Sequence, residues 1–404
     1  MRQGGEDMNS EKMKTVLKEN NNKVTKKPVK LIAMYFPQLH AIPENDTWWG
    51  KGFTDWNNVK TGVKQFDGHN QPRVPLDDNY YDQSKLETIL WQVTLAKEYG
   101  IYGFCHYHYW FDGKQLLEAP TNLMLENKEI DFPFCLSWAN ETWSKRWDGQ
   151  DHHILVQQTH PPTIESWKKH YDYLIKAWKD PRAIKVDGKP VFVIYRPLKI
   201  EKIDEMLEFW KSLAIKDGLP GLYFIFQKQH ELPTVNCIKS FDALFQFQPF
   251  EAINSPTFDK RSIRHSYLFK FFRNLPDYLQ DVMRAVKAKF FKELTFHDYD
   301  AVWQQVVKIR PDEKLVTYPG AFVDWDNTAR YKNRATIFKG AMPKSFSKWF
   351  SKLIDSLPMR NLPENLVFLN AWNEWSEATY LEPDTKHGYK YIEAIKRALN
   401  KNAG

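Results

Sequence analysis

The sequence predicts an α/β protein of the (β/α)8 class, a TIM barrel. At 404 residues, the chain has a length that suits one such barrel with its loops. From Lys30 onward, short runs rich in β-branched and aromatic residues alternate with longer segments of helical periodicity. We count about eight of these runs, which is the strand number of the barrel.

The eight runs are short and apolar. In chain order they are Leu31–Phe36, Tyr102–His108, Phe132–Trp138, Val191–Tyr195, Leu222–Phe226, Ala243–Phe247, Leu315–Tyr318 and Leu366–Leu369. Between them, apolar periodicity predicts helices over Lys85–Tyr99, Ile164–Trp178 and Lys202–Lys216. Asp187-Gly188 and Leu219-Pro220-Gly221 predict turns directly before two strands.

Two segments depart from the barrel pattern. Residues 1–28 are polar and Lys-rich, so we expect a disordered tail before a barrel domain over 29–404. The connection over about residues 251–310 is oversized, and we expect a helical insertion there, between strands 6 and 7. Its stretch Lys260–Lys292 has nine Lys/Arg against two acids. This charge predicts contact with an anionic membrane or a phosphate-bearing lipid carrier, or else a solvated face covering the barrel.

Composition narrows the function classes. The net charge is +7, and the 260–292 stretch carries an excess of that size, so the pattern is not typical of nucleic-acid binding. The N-terminus has no apolar signal-peptide core, and no run reaches the ~20 apolar residues of a membrane span. Cys105, Cys135 and Cys237 fit free thiols in a reducing compartment. We expect a cytoplasmic protein, or one peripheral to the inner membrane.

The most informative motif follows the eighth run. Residues 372–377 read Trp-Asn-Glu-Trp-Ser-Glu, with two carboxylates three positions apart beside aromatic side chains. If the chain turns helically after Glu374, Glu374 and Glu377 point the same way. Glycosidic-bond chemistry needs such a pair, since one group donates a proton and the other accepts one or attacks. The alternative interpretation is a solvated pair of acids in a first helical turn.

Active sites of these barrels lie at the C-terminal strand ends, where this sequence has many hydrogen-bonding and stacking groups suited to a polyol. The candidate substrate-binding residues are Tyr35, Gln38, His40, His106, His108, Trp138, Asn140, Glu141, Tyr195, Arg196, Gln248, Asp324, Asn327, Arg330, Trp372 and Asn373. His106 and His108 share one strand face and could bind a metal. His40 and Glu141 are available as further ligands, but no other strand end has a His, so we expect no metal and no cofactor.

These segments resemble the glycoside hydrolase family 99-like domain, whose barrels have an Asn-Glu-Trp-x-Glu signature on the last strand. The matching segments are Asn373–Glu377 with Glu382-Pro383, Ala33–His40, Trp48–Trp56 and Ser137–Glu141. The resemblance covers nearly the whole chain from Lys30. Ala33–His40 and Trp48–Trp56 most resemble a subgroup found in bacterial lipopolysaccharide and O-antigen biosynthesis clusters and often labelled glycosyltransferase. The hydrolases of the family are endo-α-mannosidases.

The resemblance implies roles for the two glutamates. Glu374 would be the base on the sugar's own 2-hydroxyl, forming a 1,2-anhydro sugar, and Glu377 would be the acid and then the base. A general acid must hold its proton near neutral pH, so we expect the pKa of Glu377 to be raised more than that of Glu374. Ser376 and Ala378 stand where the hydrolases often have His and Gly, which leaves the substrate and the reaction direction open.

We therefore expect an enzyme, glycoside hydrolase-like or glycosyltransferase, that acts on an oligosaccharide or a lipid-linked glycan. It would cleave or transfer an α-mannoside-like bond by a two-glutamate retaining mechanism in bacterial surface polysaccharide metabolism. Two alternatives stay open. One is a glycosyltransferase acting on a lipid-linked acceptor, and the other is a non-catalytic glycan-binding barrel.

Overall fold

A computed structural model describes residues 27–145, 150–229, 239–258 and 294–403. Nearly all of the predicted N-terminal tail, Cys237 and the basic stretch 260–292 lie outside the described residues. Cys105 and Cys135 are buried free thiols.

Eight parallel strands form the predicted barrel. They are β1 (Val29–Tyr35), β2 (Gly103–Phe111), β3 (Phe134–Trp138), β4 (Lys189–Ile194), β5 (Tyr223–Lys228), β6 (Ala243–Gln246), β7 (Val316–Tyr318 and Gly320–Phe322) and β8 (Asn365–Asn370). Each strand pairs with its neighbours in chain order, and β1 pairs with β8. The (β/α)8 class is confirmed.

The seventh strand closes the barrel in two halves. Val316–Tyr318 pairs with β6, and Gly320–Phe322 pairs with β8. Pro319 between them has no N–H to donate, but its carbonyl oxygen accepts a hydrogen bond from the Phe368 N–H at 3.1 Å. A Cβ on Gly320 would lie 1.7 Å from the Gln246 carbonyl oxygen, so only glycine fits against β6. The apolar run Leu315–Tyr318 identified only the first half.

Long helices connect the strands on the outside. Within the described part of the chain they are α1 (Leu86–Glu98), α2 (Ala119–Glu126), α3 (Ile164–Trp178), α4 (Ile203–Lys216), α5 (Tyr299–Lys308), α6 (Pro343–Asp355) and α7 (Lys390–Ala403). The three helices predicted from periodicity are α1, α3 and α4, each within one residue of its expected ends. None of the helices described is both long and apolar enough to cross a membrane.

Shorter elements build the loops. The short α-helices are Pro43–Trp49, Asp55–Lys60, Phe250–Asn254 and Thr328–Tyr331, and the 3₁₀ helices are Leu76–Asp78, Pro197–Lys199, Lys332–Arg334, Leu357–Arg360 and Trp375–Glu377. The short strands are Lys114–Leu116, Trp143–Lys145, Gln150–Val156, Lys185–Val186, Thr295–Asp298, Thr336–Lys339, Asn373–Glu374 and Thr379–Tyr380. Of the predicted insertion over 251–310, only the two flanks are described. α5, in the second flank, packs on the barrel through Trp303, which stacks on Phe322 of β7.

The hydrophobic core has two layers. Between sheet and helices, the fully buried Trp210 of α4 packs against Phe192 of β4, and each such large side chain stabilises the fold by about 1.5–3 kcal/mol. Inside the barrel, Phe245 and Phe368 stack with ring centroids 4.4 Å apart. This filled interior forms the floor on which the C-terminal loops build a site.

Candidate active site

A pocket of about 300 Å³ lies at the C-terminal ends of the strands. Six of the residues predicted for the site line it, namely Gln38, Glu141, Tyr195, Arg330, Glu374 and Glu377. Much of the remaining wall is aromatic and comprises Phe36, Trp49, Tyr107, Tyr109, Trp143, Phe247, Phe250, Trp325 and Tyr331. Aromatic faces of this kind suit the C–H faces of sugar rings.

Glu374 and Glu377 reach this pocket because the chain turns sharply after β8. Glu374 ends a two-residue strand, and the 3₁₀ helix Trp375–Glu377 follows directly. Ala378 ends the helix in a left-handed conformation with φ of 58°. This 374–377 turn brings both carboxyl groups to the pocket, where each shifts the pKa of the other.

A buried ion-pair network holds this pair. The Arg330 guanidinium donates to the two carboxylate oxygens of Asp55 at 3.3 and 3.0 Å and to Glu377 Oε1 at 2.8 Å. Its Nη2 is 3.9 Å from Glu374 Oε1. Asp55 also accepts a hydrogen bond from the Ser376 hydroxyl at 2.5 Å. One buried acid therefore anchors both the arginine and the 374–377 turn.

Burial raises the pKa of both glutamates. The pKa of Glu374 rises well above its ordinary value, since burial and repulsion from Glu377 add, while Arg330 lowers it. The pKa of Glu377 is also raised by burial and lowered by Arg330. Because Arg330 contacts Glu377 directly, the negative charge is favoured on Glu377 and the proton on Glu374. The expectation that Glu377 would have the higher pKa is therefore reversed in this structure.

The two predicted histidines of β2 do not line the pocket. His106 lies between Tyr35, whose ring it stacks on at 4.4 Å, and Thr121 of α2. His108 Nε2 lies 2.9 Å from His170 Nε2 of α3. Burial lowers the pKa of both β2 histidines to about 3, so they are neutral. Among the residues described, no group of three or more His, Cys, Asp or Glu is arranged to hold a metal ion.

Tyr35 and Trp138 likewise face the helices. The Tyr35 hydroxyl donates to Gln92 Oε1 of α1 at 2.6 Å, and the Trp138 ring packs 4.6 Å from that of His170. Side chains alternate along a strand, so the residues next to the two histidines, Tyr107 and Tyr109, face the pocket instead. Sequence reasoning chose the wrong face of β2, although the period-two rule allowed the other choice.

Other predicted residues do not line the pocket. They are His40, Asn140, Arg196, Gln248, Asp324, Asn327, Trp372 and Asn373. Asn373 accepts a hydrogen bond from Phe36 N–H at 2.8 Å and donates to the Phe36 carbonyl at 2.9 Å, which ties the end of β8 to that of β1. Asn140 holds the Arg196 backbone in the same way. Arg196 also pairs with Glu141 at 2.8 Å.

Comparison with known proteins agrees with this architecture. The family model described as Glycosyltransferase WbsX matches residues 31–395. Proteins named WxcX from two strains of Xanthomonas campestris pv. campestris are 34% identical to this chain over 377 residues. The match covers 93% of this chain and 50% of those proteins, so the chain spans about half their length.

Solved structures support the same fold. The GH99 endo-α-mannosidase from Bacteroides thetaiotaomicron superimposes with a TM-score of 0.51 at 12% identity, covering 92% of this chain and 97% of that chain. A glycoside hydrolase-like protein gives a TM-score of 0.54 at 12% identity, covering 93% and 95%. Together with the family match, they confirm the predicted resemblance to family 99-like barrels.

Proposed function

Because the chain belongs to the WbsX glycosyltransferase family, we propose that it is a carbohydrate-active enzyme that cleaves or transfers an α-mannoside-like glycosidic bond. Its role would lie in bacterial surface polysaccharide metabolism, on an oligosaccharide or a lipid-linked glycan. One observation carries the proposal. Glu374 and Glu377 lie beside one guanidinium, that of Arg330, in an aromatic pocket at the C-terminal end of the barrel, where barrel enzymes have their active sites.

The close pair supports retention of configuration. Inverting glycosidases hold a water molecule between carboxyl groups about 6.5–9.5 Å apart. Glu374 and Glu377 contact the same Arg330 guanidinium and each shifts the pKa of the other, which favours a closer spacing. A two-step route fits this spacing. In its second step, the attacking group approaches the face of the sugar from which the leaving group departed.

The proposed first step uses both glutamates at once. Glu374 removes the proton of the sugar's 2-hydroxyl, and that oxygen attacks the anomeric carbon. The bond to the leaving oxygen breaks while Glu377 protonates that oxygen. In the second step, water or an acceptor hydroxyl attacks the 1,2-anhydro sugar. Glu377 accepts the attacking group's proton, and Glu374 returns a proton to the 2-oxygen.

The charge of the pair supports this scheme. The mechanism needs one proton and one negative charge on the two carboxyl groups together. Burial favours one bound proton, and Arg330 beside Glu377 favours one negative charge. In the structure the proton is favoured on Glu374, whereas the first step needs it on Glu377. The two neighbouring carboxyl groups offer a path for this transfer when a 2-hydroxyl binds at Glu374.

The charges around the pocket favour an uncharged glycan at the reaction centre. Among the described lining residues, Arg330 is the one cationic side chain, and it pairs with Asp55 and Glu377. Glu141 adds an acid to the wall. A nucleotide diphosphate would meet more negative than positive charge at this wall.

Transfer to a lipid-linked acceptor is the second candidate function. Membership of a family described as glycosyltransferases favours it. Both candidates use the same pair and differ in the group that attacks in the second step.

Product analysis tests the proposal. The protein is incubated with mannose-containing lipid-linked oligosaccharides, with and without nucleotide sugars, and the products are identified by mass spectrometry. We expect a shortened glycan or a new glycan–acceptor product without added nucleotide sugar. Glu374→Gln and Glu377→Gln should each lower turnover at least ~10²-fold, the usual scale for acid–base groups. Full turnover in either variant would remove that residue from the mechanism.

A further inference from the structure

We propose that Glu382 is a positioning residue that fixes the 374–377 turn by accepting a hydrogen bond from the Trp375 indole. The role assigned to the turn rests on the function proposed above for Glu374 and Glu377. Glu382 itself does not line the pocket.

Glu382 is a buried carboxylate surrounded by donors. Its Oε2 accepts from Trp375 Nε1 at 2.7 Å and from the Tyr81 hydroxyl at 2.7 Å. Its Oε1 accepts from Gln92 Nε2 at 2.7 Å. The donors come from three separate segments, so the carboxylate joins α1 and the loop around Tyr81 to the turn.

The partners are neutral donors, and this favours a charged acceptor. An ionised carboxylate only accepts hydrogen bonds, and its bonds to neutral donors are about twice as strong as neutral ones. Of its three partners, a protonated Glu382 could donate only to the Tyr81 hydroxyl, because the Trp375 indole and the Gln92 amide nitrogen only donate. Burial raises the pKa of Glu382 to about 7, and the bonds from Trp375, Gln92 and Tyr81 oppose this rise.

The bonded indole lies within the turn that presents the pair. Trp375 follows Glu374 directly and opens the 3₁₀ helix that ends at Glu377. Its ring stacks on Tyr380 with centroids 3.8 Å apart and packs against Trp56 at 5.4 Å. Stacking restrains the ring plane, and the bond to Glu382 restrains the ring within that plane. Together these contacts fix the position of Trp375, the residue directly after Glu374.

A second path from Glu382 reaches the same turn. Tyr81, which donates to Glu382, also lies 3.5 Å from Asn373 Nδ2. Asn373 is the residue before Glu374 and bonds the Phe36 backbone. Both sides of Glu374 are therefore tied to the same buried carboxylate, and this double restraint is the basis for assigning it a positioning role.

Variants at Glu382 and Trp375 test the inference. Glu382→Gln keeps the shape and weakens the bond, Glu382→Leu removes the acceptor, and Trp375→Phe removes the donor while keeping the Glu382 charge. Asp180→Asn is the matched control, because Asp180 is also buried and multiply hydrogen-bonded but lies between Arg182 and Lys128, away from the pocket. Each variant is assayed for kcat, KM and thermal stability.

We expect kcat to fall about tenfold in Glu382→Gln and about 10²-fold in Glu382→Leu and Trp375→Phe, the scale of a 1 Å misplacement of reacting groups. KM should stay within about threefold, because the pocket wall is untouched. Asp180→Asn should lower stability and leave kcat unchanged. If Glu382→Gln and Trp375→Phe behave like Asp180→Asn, the positioning role is overturned.

A second readout needs no substrate. With ¹³C-labelled glutamate side chains, NMR follows the coupled titration of Glu374 and Glu377, assigned through their Gln variants. Glu382→Gln and Trp375→Phe should both shift this titration, whereas Asp180→Asn should not. If the parent protein acts on no glycan, the proposed function fails, and the titration alone decides the positioning role. An unchanged titration in both variants overturns it.

Discussion

Arg330 and Asp55 determine which glutamate of the pair carries the negative charge. Arg330 lowers the pKa of Glu374 and Glu377, and Asp55 raises it. Glu374 lies 3.9 Å from Arg330 and Glu377 lies 2.8 Å from it. A difference of this size decides where a shared proton rests, because the attraction falls with distance and is strong in a buried site. The active form is the singly protonated pair, so a bell-shaped pH dependence follows.

Removing the charge of Arg330 and removing that of Asp55 should shift the pH dependence of kcat/KM in opposite directions. Arg330→Gln removes the positive charge, so both limbs of the kcat/KM profile should move to higher pH. Asp55→Asn removes a negative charge, so both limbs should move to lower pH. Initial rates across the pH range on one glycan substrate measure this. Shifts in the same direction in both variants would contradict the electrostatic role of the network.

Glu374 should also make stability depend on pH. Its pKa is raised in the folded state, so the folded protein binds this proton more tightly than the unfolded chain. The stability contributed by the bound proton is fully present below the unfolded pKa of about 4.3 and is lost as pH rises through the folded value. Glu374→Gln should therefore raise Tm relative to the parent near pH 8 and not near pH 4. Calorimetry at both pH values checks this, and an equal difference at both would contradict it.

At the scale of elements, the strands and long helices follow from local patterns, but strand faces do not. Apolar runs located all eight strands, because β strands of a barrel are buried on both sides. Because β2 is also buried on both sides, the pattern does not show which of its side chains face the pocket. His106, Tyr107, His108 and Tyr109 are all polar aromatic residues. The Asp55–Arg330 contact spans 275 positions, and no local pattern predicts such a pairing. Only the first half of β7 was predicted, because Pro319 breaks its apolar run.

The two faces of β2 predict different mutant behaviour. Tyr107→Phe and Tyr109→Phe remove hydroxyls at the pocket wall, so KM for the glycan should rise about 3–10-fold, on the scale of about 1 kcal/mol for one lost hydrogen bond. The side chains of His106 and His108 lie against the helices. His106→Gln and His108→Gln should therefore lower Tm and leave KM and kcat near the parent values. Steady-state kinetics with thermal melts separates the two sets. A KM increase confined to the histidine variants would mean that the assignment of faces is wrong.

At the scale of the whole molecule, the sequence predicts a basic segment beside the barrel. The 260–292 stretch lies outside the described residues, so its role remains a prediction from charge. Each Lys or Arg near an anionic leaflet contributes on the order of 1 kcal/mol, and salt screens it. Changing Lys287, Lys289 and Lys292 together to Glu should release the protein from anionic vesicles in a flotation assay. Turnover on a soluble glycan should be unchanged.

A solvated face would give another result. If the parent protein does not float with anionic vesicles, or the reversed protein floats equally well, the segment only covers the barrel. Neutral vesicles provide the control for apolar binding.

The anomeric configuration of the first product distinguishes retention from inversion. We propose that the Glu374–Glu377 pair drives a retaining reaction through the sugar's own 2-oxygen. ¹H NMR of a reaction sampled before mutarotation reports the configuration of the newly formed reducing end or linkage. We expect the α form first. In Glu374→Gln, its initial rate of formation should be at least ~10²-fold lower. A β product formed first would contradict it.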